Sequence, residues 1–347
     1  MNIRINENSD GTNEESKNQF KTFKGTKVEN IVGNTPMIKI NYEYLGKKSY
    51  MYAKLEYYNL SGSIKDRVAF YIINNAYKKG LLKEGMPIIE ATSGNTGIAL
   101  SALGAIYNHP VYIFMPDFAS IERINLMKLY GANVILVSKE EGGFIACVNK
   151  AKELAKKLNG FLANQFANED NYLAHYETTA PEIINKEVKD LGGYISGVGT
   201  GGTLIGVGKR LKEEYKDFKV IAIEPHKMQI LSGKKPIGNH KIEGIGDDFI
   251  PDLYDKNIVD EIIPINDEDA VNMSRLLAKK LGLAVGISSG ANFIGSVIAD
   301  NKYDRKIVTV FADDNKKYLS TDLTKEIDND EEFISNKIKL LNFEIVK

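Results

Sequence analysis

One cysteine, Cys147, is the only thiol in the 347 residues, so no intrachain disulfide can form and no thiolate metal cluster can be built. It lies in the apolar helical run Phe144–Val148, where a buried, unreactive thiol is expected. Histidine is nearly as scarce: His109, His175, His226 and His240 are scattered without ligand spacing, and no metal site is expected. Neither sign of charge is in excess. The 45 Lys and Arg against 46 Asp and Glu leave a formal charge of −1, which argues against a dedicated binder of nucleic acid or anionic membrane. No apolar run approaches the length of a membrane span, and the N-terminus lacks the apolar core of a signal peptide, so a cytoplasmic protein is expected. What is present is ordinary globular composition, 43% hydrophobic and 26% charged, long enough for two domains or one large α/β domain.

Residues 1–26 are rich in Asn, Glu, Lys and Ser and read as a disordered tail, with folded texture beginning at Val28. Val32–Ile40 is a turn feeding a strand, and Tyr50–Leu55 alternates like another. The middle then repeats one theme of short apolar strand, small-residue turn and helix. Pro87–Ala91 leads through Thr92–Gly97 into Ile98–Tyr107, and Val111–Met115 leads through Pro116–Ser120 into Ile121–Tyr130. Asn133–Val137 leads through Gly142-Gly143 into Phe144–Leu158. Such alternation predicts a parallel sheet covered on both faces. The second half predicts a helix over Tyr176–Val188, a strand over Tyr194–Val198, a helix over Leu204–Tyr215 and strands over Lys219–Ile223 and Lys306–Phe311. Asp322–Lys347 is a charged, partly amphipathic tail whose packing the sequence leaves open.

Four turns stand out chemically. Ser61-Gly62-Ser63-Ile64-Lys65-Asp66-Arg67 precedes the apolar-periodic run Val68–Ala76, and Ser and Gly there signal a helix start. A lysine at that entrance is odd, because the positive end of the helix dipole disfavours a cation. A lysine pressed toward its neutral form is what a Schiff base to a carbonyl requires. Thr92-Ser93-Gly94-Asn95-Thr96-Gly97 lies between strand and helix and offers hydroxyls, an amide and free N–H groups, a cradle for a carboxylate. Gly199-Thr200-Gly201-Gly202-Thr203 forms a phosphate cup on the same logic. It has a competitor: Gly197, Gly199 and Gly202 also satisfy a dinucleotide pattern, and Glu224 falls where a ribose-binding acid belongs. Gly286–Asn292 is a fourth small-residue turn into a helix, equally well explained as a tight connection with a serine cap.

Together and in order, Asn34-Thr35-Pro36, Ser61–Arg67, Thr92–Gly97, Gly199–Thr203 and Gly286–Gly290 resemble the β-family, or fold type II, pyridoxal-phosphate enzymes. The resemblance runs from about Val28 to Leu323 and is greatest to the cysteine synthases (O-acetylserine sulfhydrylases), with cystathionine β-synthases as near relatives. Ser120-Ile121-Glu122-Arg123, Gln165-Phe166, Ala174-His175-Tyr176, Ser232-Gly233, Gly244-Ile245-Gly246 and Tyr318-Leu319-Ser320-Thr321 support it. It implies an α/β architecture of the tryptophan synthase β type, two three-layer αβα domains with mostly parallel sheets. The smaller domain would be 28–168, with a segment at about 37–58 crossing to the other half; the larger would be 169–323, and 324–347 a C-terminal extension.

The resemblance also assigns roles. Lys65 would carry pyridoxal 5'-phosphate and remove the substrate α-proton, Asn95 would hydrogen-bond the ring hydroxyl, Gly199, Thr200, Gly201, Gly202 and Thr203 would hold the phosphate, and Ser288 would face the pyridine nitrogen. Thr92, Ser93, Thr96 and Gln165 would grip the substrate carboxylate, with Gly244 also on the substrate side. A serine facing the nitrogen leaves the ring a weak electron sink, which suits β-elimination better than transamination. The implied reaction makes L-cysteine from O-acetyl-L-serine and sulfide by way of an aminoacrylate, with the smaller domain closing on the bound carboxylate. A homodimer is implied, and binding of the serine acetyltransferase C-terminus in the cleft is a further possibility of the family.

Some positions depart from the pattern. Leu60 replaces a usual proline, Gly142-Gly143 replaces a common Gly-Met, and Asp247-Asp248 replaces a small pair. Asp-Phe-Ile-Pro at 248–251 and Val259-Asp260 are closer to cystathionine β-synthase. A cysteine lyase, a lanthionine-forming enzyme and a cystathionine β-synthase therefore stay open. So do a nicotinamide-dependent oxidoreductase using Gly197–Gly202 and a non-catalytic binding homologue.

Overall fold

The computed structural model describes residues 27–325 and 330–347; the tail expected over 1–27 lies outside them except for Lys27. The chain first lays down a hairpin, β1 (Met37–Tyr44) and β2 (Lys47–Leu55), turned at Leu45 and Gly46, both at positive φ as a two-residue hairpin loop demands. After α1 (Lys65–Lys78) it builds a second sheet from β3 (Ile88–Ala91), β4 (Val111–Pro116), β5 (Asn133–Val137) and β6 (Phe161–Leu162). The intervening helices are α2 (Asn95–Tyr107), α3 (Ile121–Leu129) and α4 (Gly143–Leu158). The order is β5-β4-β3-β6, all parallel, and the buried run Ile88–Ala91 reads as apolar as a strand covered on both faces should. Helices α1 to α3 cover one face and α4 the other.

The chain then returns to the first sheet through α5 (Asp170–Ala174), a π-helical turn His175–Thr179 and α6 (Ala180–Ile184). One continuous helix over Tyr176–Val188 is therefore not what forms. Pro181 brings no N–H to the ladder, and the Thr178 hydroxyl donates back to the Ala174 carbonyl, so the helix widens by a residue there. There follow β7 (Leu191–Gly197), α7 (Gly202–Glu214), β8 (Lys219–Pro225), β9 (Glu261–Ile265), α8 (Asp267–Leu281), α9 (Ile287–Tyr303), β10 (Lys306–Phe311) and β11 (Ile338–Ile345). The seven strands run β11-β1-β2-β10-β7-β8-β9, parallel from β2 onward. Helices α8 and α9 pack on one face, α6 and α7 on the other.

The tail beyond 324 does pack: β11 pairs antiparallel with β1, from Ile38 opposite Ile345 to Tyr44 opposite Ile338, and covers that strand's edge. Each sheet thus ends its parallel strands in turns, and the turns after β3, β7 and β10 face one cleft.

Candidate active site

Lys65 is the first residue of α1. The loop before it is held from behind as well as by Ser63, whose Oγ accepts from Lys65 N (3.2 Å): the Asp66 carboxylate accepts from Ser61 N (2.9 Å), Ser61 Oγ (2.6 Å) and Ser63 N (3.3 Å). Arg67 is buried in a fork of carboxylates, with Nε donating to Glu56 (2.7 Å) and Nη1 to Glu182 (2.6 Å). The Lys65 side chain turns the other way and lines the cleft, and its Nζ has no hydrogen-bond or ion-pair partner among the described residues. Burial pushes its ammonium down to about 8, against the carboxylate of Asp247, which acts upward. The odd lysine of the helix entrance is thus a part-buried amine whose charged form is disfavoured relative to an exposed lysine.

Opposite it lies the glycine turn. Gly201, at φ +85°, precedes α7, whose first turn receives no side-chain cap, so its N–H groups are left for a ligand. Side chains do not fit here: a Cβ on Gly199 would stand 2.4 Å from the Gly244 carbonyl, and one on Gly202 2.1 Å from Asn171 Oδ1. Two residues to which the sequence assigned no role brace the turn. Asn171 Nδ2 donates to Thr200 Oγ1 (2.9 Å) and to the Gln165 carbonyl (2.8 Å), and the His175 imidazole meets Thr203 Oγ1 (3.1 Å) and Thr179 Oγ1 (3.0 Å). Burial, then the charges of Lys65 and Arg67, holds His175 down at about 3, so the ring is neutral.

The third wall is the turn after β3. Ser93 and Asn95 face the cleft, whereas Thr96 Oγ1 donates to Gln165 Oε1 (2.5 Å) and Gln165 Nε2 to the Ala91 carbonyl (3.1 Å), so those two also fix each other. Asn95 Nδ2 donates to Asp313 Oδ2 (2.7 Å), which also takes the Tyr318 hydroxyl (2.6 Å), while Asn95 Oδ1 is buried without a partner. Arg123 of α3 donates to Glu243 across the cleft and lies over the Tyr318 ring (4.6 Å), pressed so close that Gly94 cannot carry a Cβ. Ser288, in the first turn of α9, completes the lining. Of the residues singled out above, Lys65, Thr92, Ser93, Asn95, Thr96, Gln165, Gly199, Thr200, Gly201, Thr203, Gly244 and Ser288 line this one cleft, and Gly202 sits directly behind it. Its volume is about 940 Å³, open solvent at the mouth included.

Asp313, Tyr318, Arg123 and Glu243 are further members that no local pattern assigned a role. Glu224 goes elsewhere: it is buried and accepts from Leu231 N (2.9 Å) and the Ser232 hydroxyl, closing its own turn rather than facing a ribose site. The dinucleotide reading loses its acid. Among the described residues no group of His, Cys, Asp and Glu is gathered as for a metal, and no helix is long and apolar enough to cross a membrane. Cys147, on α4, is buried against the strands of the small sheet, and burial raises its thiol to about 11.

An unpartnered amine, an uncapped helix start whose two threonines are braced by Asn171 and His175, and a buried amide oxygen without a partner in the same cleft suit a phosphorylated aldehyde with a polar ring. Residues 28–313 match the family of pyridoxal-phosphate dependent enzymes. The chain belongs to that family. This pyridoxal-phosphate enzyme is 43% identical to the probable cysteine synthase of Bacillus subtilis over 84% of its own length and 96% of the relative's. It is 41% identical to cysteine synthase B of Campylobacter jejuni, covering 86% and 98%. Among solved structures, a hydrogen sulfide-producing enzyme of Fusobacterium nucleatum superposes with a TM-score of 0.88 at 49% identity, covering 92% and 98%. The cysteine synthase of Entamoeba histolytica gives 0.83 at 39%, covering 95% and 98%. A family built around this cofactor agrees with the fit of the cleft.

Proposed function

We propose that the protein is a β-replacement enzyme that makes L-cysteine from O-acetyl-L-serine and sulfide. The observation that carries this is Lys65: an amine pushed toward its neutral form, without a partner, between a phosphate-sized cup and a carboxylate-sized turn. When bound, pyridoxal phosphate supplies an aldehyde that condenses with amines and a ring that stores the electron pair released at Cα. Lys65 would hold it, Asn95 would approach the ring hydroxyl with its amide, the Gly199–Thr203 turn would take the phosphate, and Ser288 would face the ring nitrogen.

The free amine of Lys65 is the base placed for the α-proton, since its lowered affinity for protons leaves it able to accept one near neutral pH. Ser93, with Thr92, Thr96, Gln165 and Gly244 around it, is the side on which the substrate carboxylate would rest at the start of α2. Residues of the small sheet (about 28–168) would close over the large one (about 169–323) when that carboxylate binds, and Arg123 with Glu243 already spans the gap. A homodimer, a cytoplasmic setting and docking of a serine acetyltransferase C-terminus belong to the same proposal and rest on kinship.

The test is to supply the cofactor-loaded protein with O-acetylserine and sulfide and to measure cysteine. Cysteine should form, and Lys65→Ala should form none while keeping its fold. A loaded, folded wild type that makes no cysteine from these two substrates sinks the proposal.

A further inference from the structure

Strand β3 reads Ile88-Ile89-Glu90-Ala91, a run buried throughout with one acid in it. Glu90 is 3% exposed and has no ion-pair partner among the described residues. Such a carboxylate costs stability unless hydrogen bonds meet it, and here the backbone supplies them. Oε1 accepts from Ala91 N (2.8 Å) and Oε2 from Gln165 N (3.0 Å). Burial raises its pKa to about 7, opposed by the N–H groups of Ala91, Gln165 and Asn164.

The place of those N–H groups gives the acid its purpose. Strand β6 pairs with β3 in steps of two residues, Phe161 N to the Pro87 carbonyl (2.8 Å) and Ala163 N to the Ile89 carbonyl (3.0 Å). The next bond of that ladder would join Gln165 N to the Ala91 carbonyl. Instead Asn164 takes φ +53° and the chain turns off the sheet. Gln165 N then goes to Glu90, and the Ala91 carbonyl takes the Gln165 side chain through Nε2 (3.1 Å). The oxygen of the same amide accepts from Thr96 Oγ1 (2.5 Å). Thr92, Ser93, Thr96 and Gln165 line the cleft, and Glu90 stands behind them, tying the end of β3 to the turn after β6. An apolar residue at 90 would leave two buried N–H groups without acceptors.

We propose that Glu90 is a positioning residue for the substrate carboxylate: by holding the Ala91 and Gln165 peptides it sets the turn after β3 and Gln165 as one wall, without touching the substrate. This rests on the proposed function in placing an amino-acid carboxylate against that wall. Glu90 exchanges no proton with the substrate, so its loss falls on the grip of the carboxylate and not on the rate of bond breaking.

The experiment uses the cofactor-loaded protein at a pH well above 7, where Glu90 is ionised. L-Alanine, which has no leaving group, and L-alaninamide, which has no carboxylate, are titrated separately and followed by the cofactor's absorbance. Wild type should bind alanine more tightly than alaninamide. Glu90→Gln turns a donor toward one of the two N–H groups, and should weaken alanine by about 10-fold and alaninamide by less than about 2-fold. General loosening of the fold would move both alike. With O-acetylserine and sulfide, the same variant should raise KM by about 10-fold and leave kcat within about 3-fold. In the wild type, with no variant needed, the Gln165 N–H should exchange with solvent as slowly as the amides of β3, although it belongs to no ladder. Equal weakening of both ligands, weakening of neither, a fall in kcat at unchanged KM, or fast exchange at Gln165 each overturns the inference. If the wild type makes no cysteine but the alanine result holds, the synthase reading falls and Glu90 keeps its role. If cysteine is made and the ratio of alanine to alaninamide affinity does not move in Glu90→Gln, this inference alone falls.

Discussion

Two cations stand two residues apart at the start of α1 and live in opposite surroundings. Arg67 is buried and forked between Glu56 and Glu182, each of its three nitrogens bonded, and the neighbouring carboxylates outweigh the cost of burial and raise its pKa. Lys65, facing the cleft, has nothing to bond and is pushed toward neutrality. Arginine suits the first position because its planar fork meets two carboxylates at once, and lysine suits the second because its amine gives up a proton when desolvated. One residue fixes the loop so that the other can be left unsatisfied. The two substitutions should therefore separate cleanly. Lys65→Ala should cost turnover by about 10³-fold or more while leaving the melting temperature near wild type. Arg67→Ala should leave buried Glu56 and part-buried Glu182 with Lys54 as their one remaining cation and cost about 3 kcal/mol of stability, read by denaturant unfolding. If Arg67→Ala melts like the wild type, or Lys65→Ala unfolds, the division of labour is wrong.

Acid sharpens the same contrast on the Arg67 side. Burial alone would raise Glu56, but the charges of Arg67 and Lys54 win and hold it at about 2. A carboxyl depressed in the folded state adds stability that is complete above its unfolded value, about 4.3, and is lost as pH falls toward 2. Wild-type stability should drop over that window. Arg67→Ala should show a flatter drop, since its Glu56 then keeps Lys54 but not the larger gain from Arg67. An equally steep acid limb in both proteins would place the acid sensitivity elsewhere.

What the sequence showed and what it hid follows from range. The alternation of apolar strand, small-residue turn and helix is written in neighbouring residues, and so are Lys65 at a helix start and the two glycine- and hydroxyl-rich turns. The braces behind them are not. Arg67 reaches Glu182 across 115 positions, and Asn95 reaches Asp313 across 218, with no local period to announce either. The break at His175–Thr179 needed Thr178 to compete for a backbone carbonyl, a choice made only once α5 and α6 were packed. Strand β11 was hidden because six of its eight residues, Lys339 and Leu341–Ile345 among them, are exposed, so no alternation of buried and open faces marks it. Its partner β1, buried on one face, supplied the register.

The cup gives the smallest expected effect and the most specific one. His175 is neutral in the fold and pushed to about 3, while an unfolded histidine titrates near about 6.5. The unfolded chain therefore binds the extra proton between those values, and this histidine subtracts stability as pH falls from about 6.5 toward 3. His175→Gln should flatten that part of the stability curve, most clearly above about 4.3, where the Glu56 window has not yet begun. The same change leaves Thr203 Oγ1 with an altered partner or none, and the turn it braces presents its phosphate-binding groups less firmly. Inorganic phosphate, titrated into the cofactor-free protein, should bind more weakly by the worth of about one hydrogen bond, 0.5–1.5 kcal/mol. A His175→Gln protein with wild-type phosphate binding would mean that the turn is set by its glycines alone.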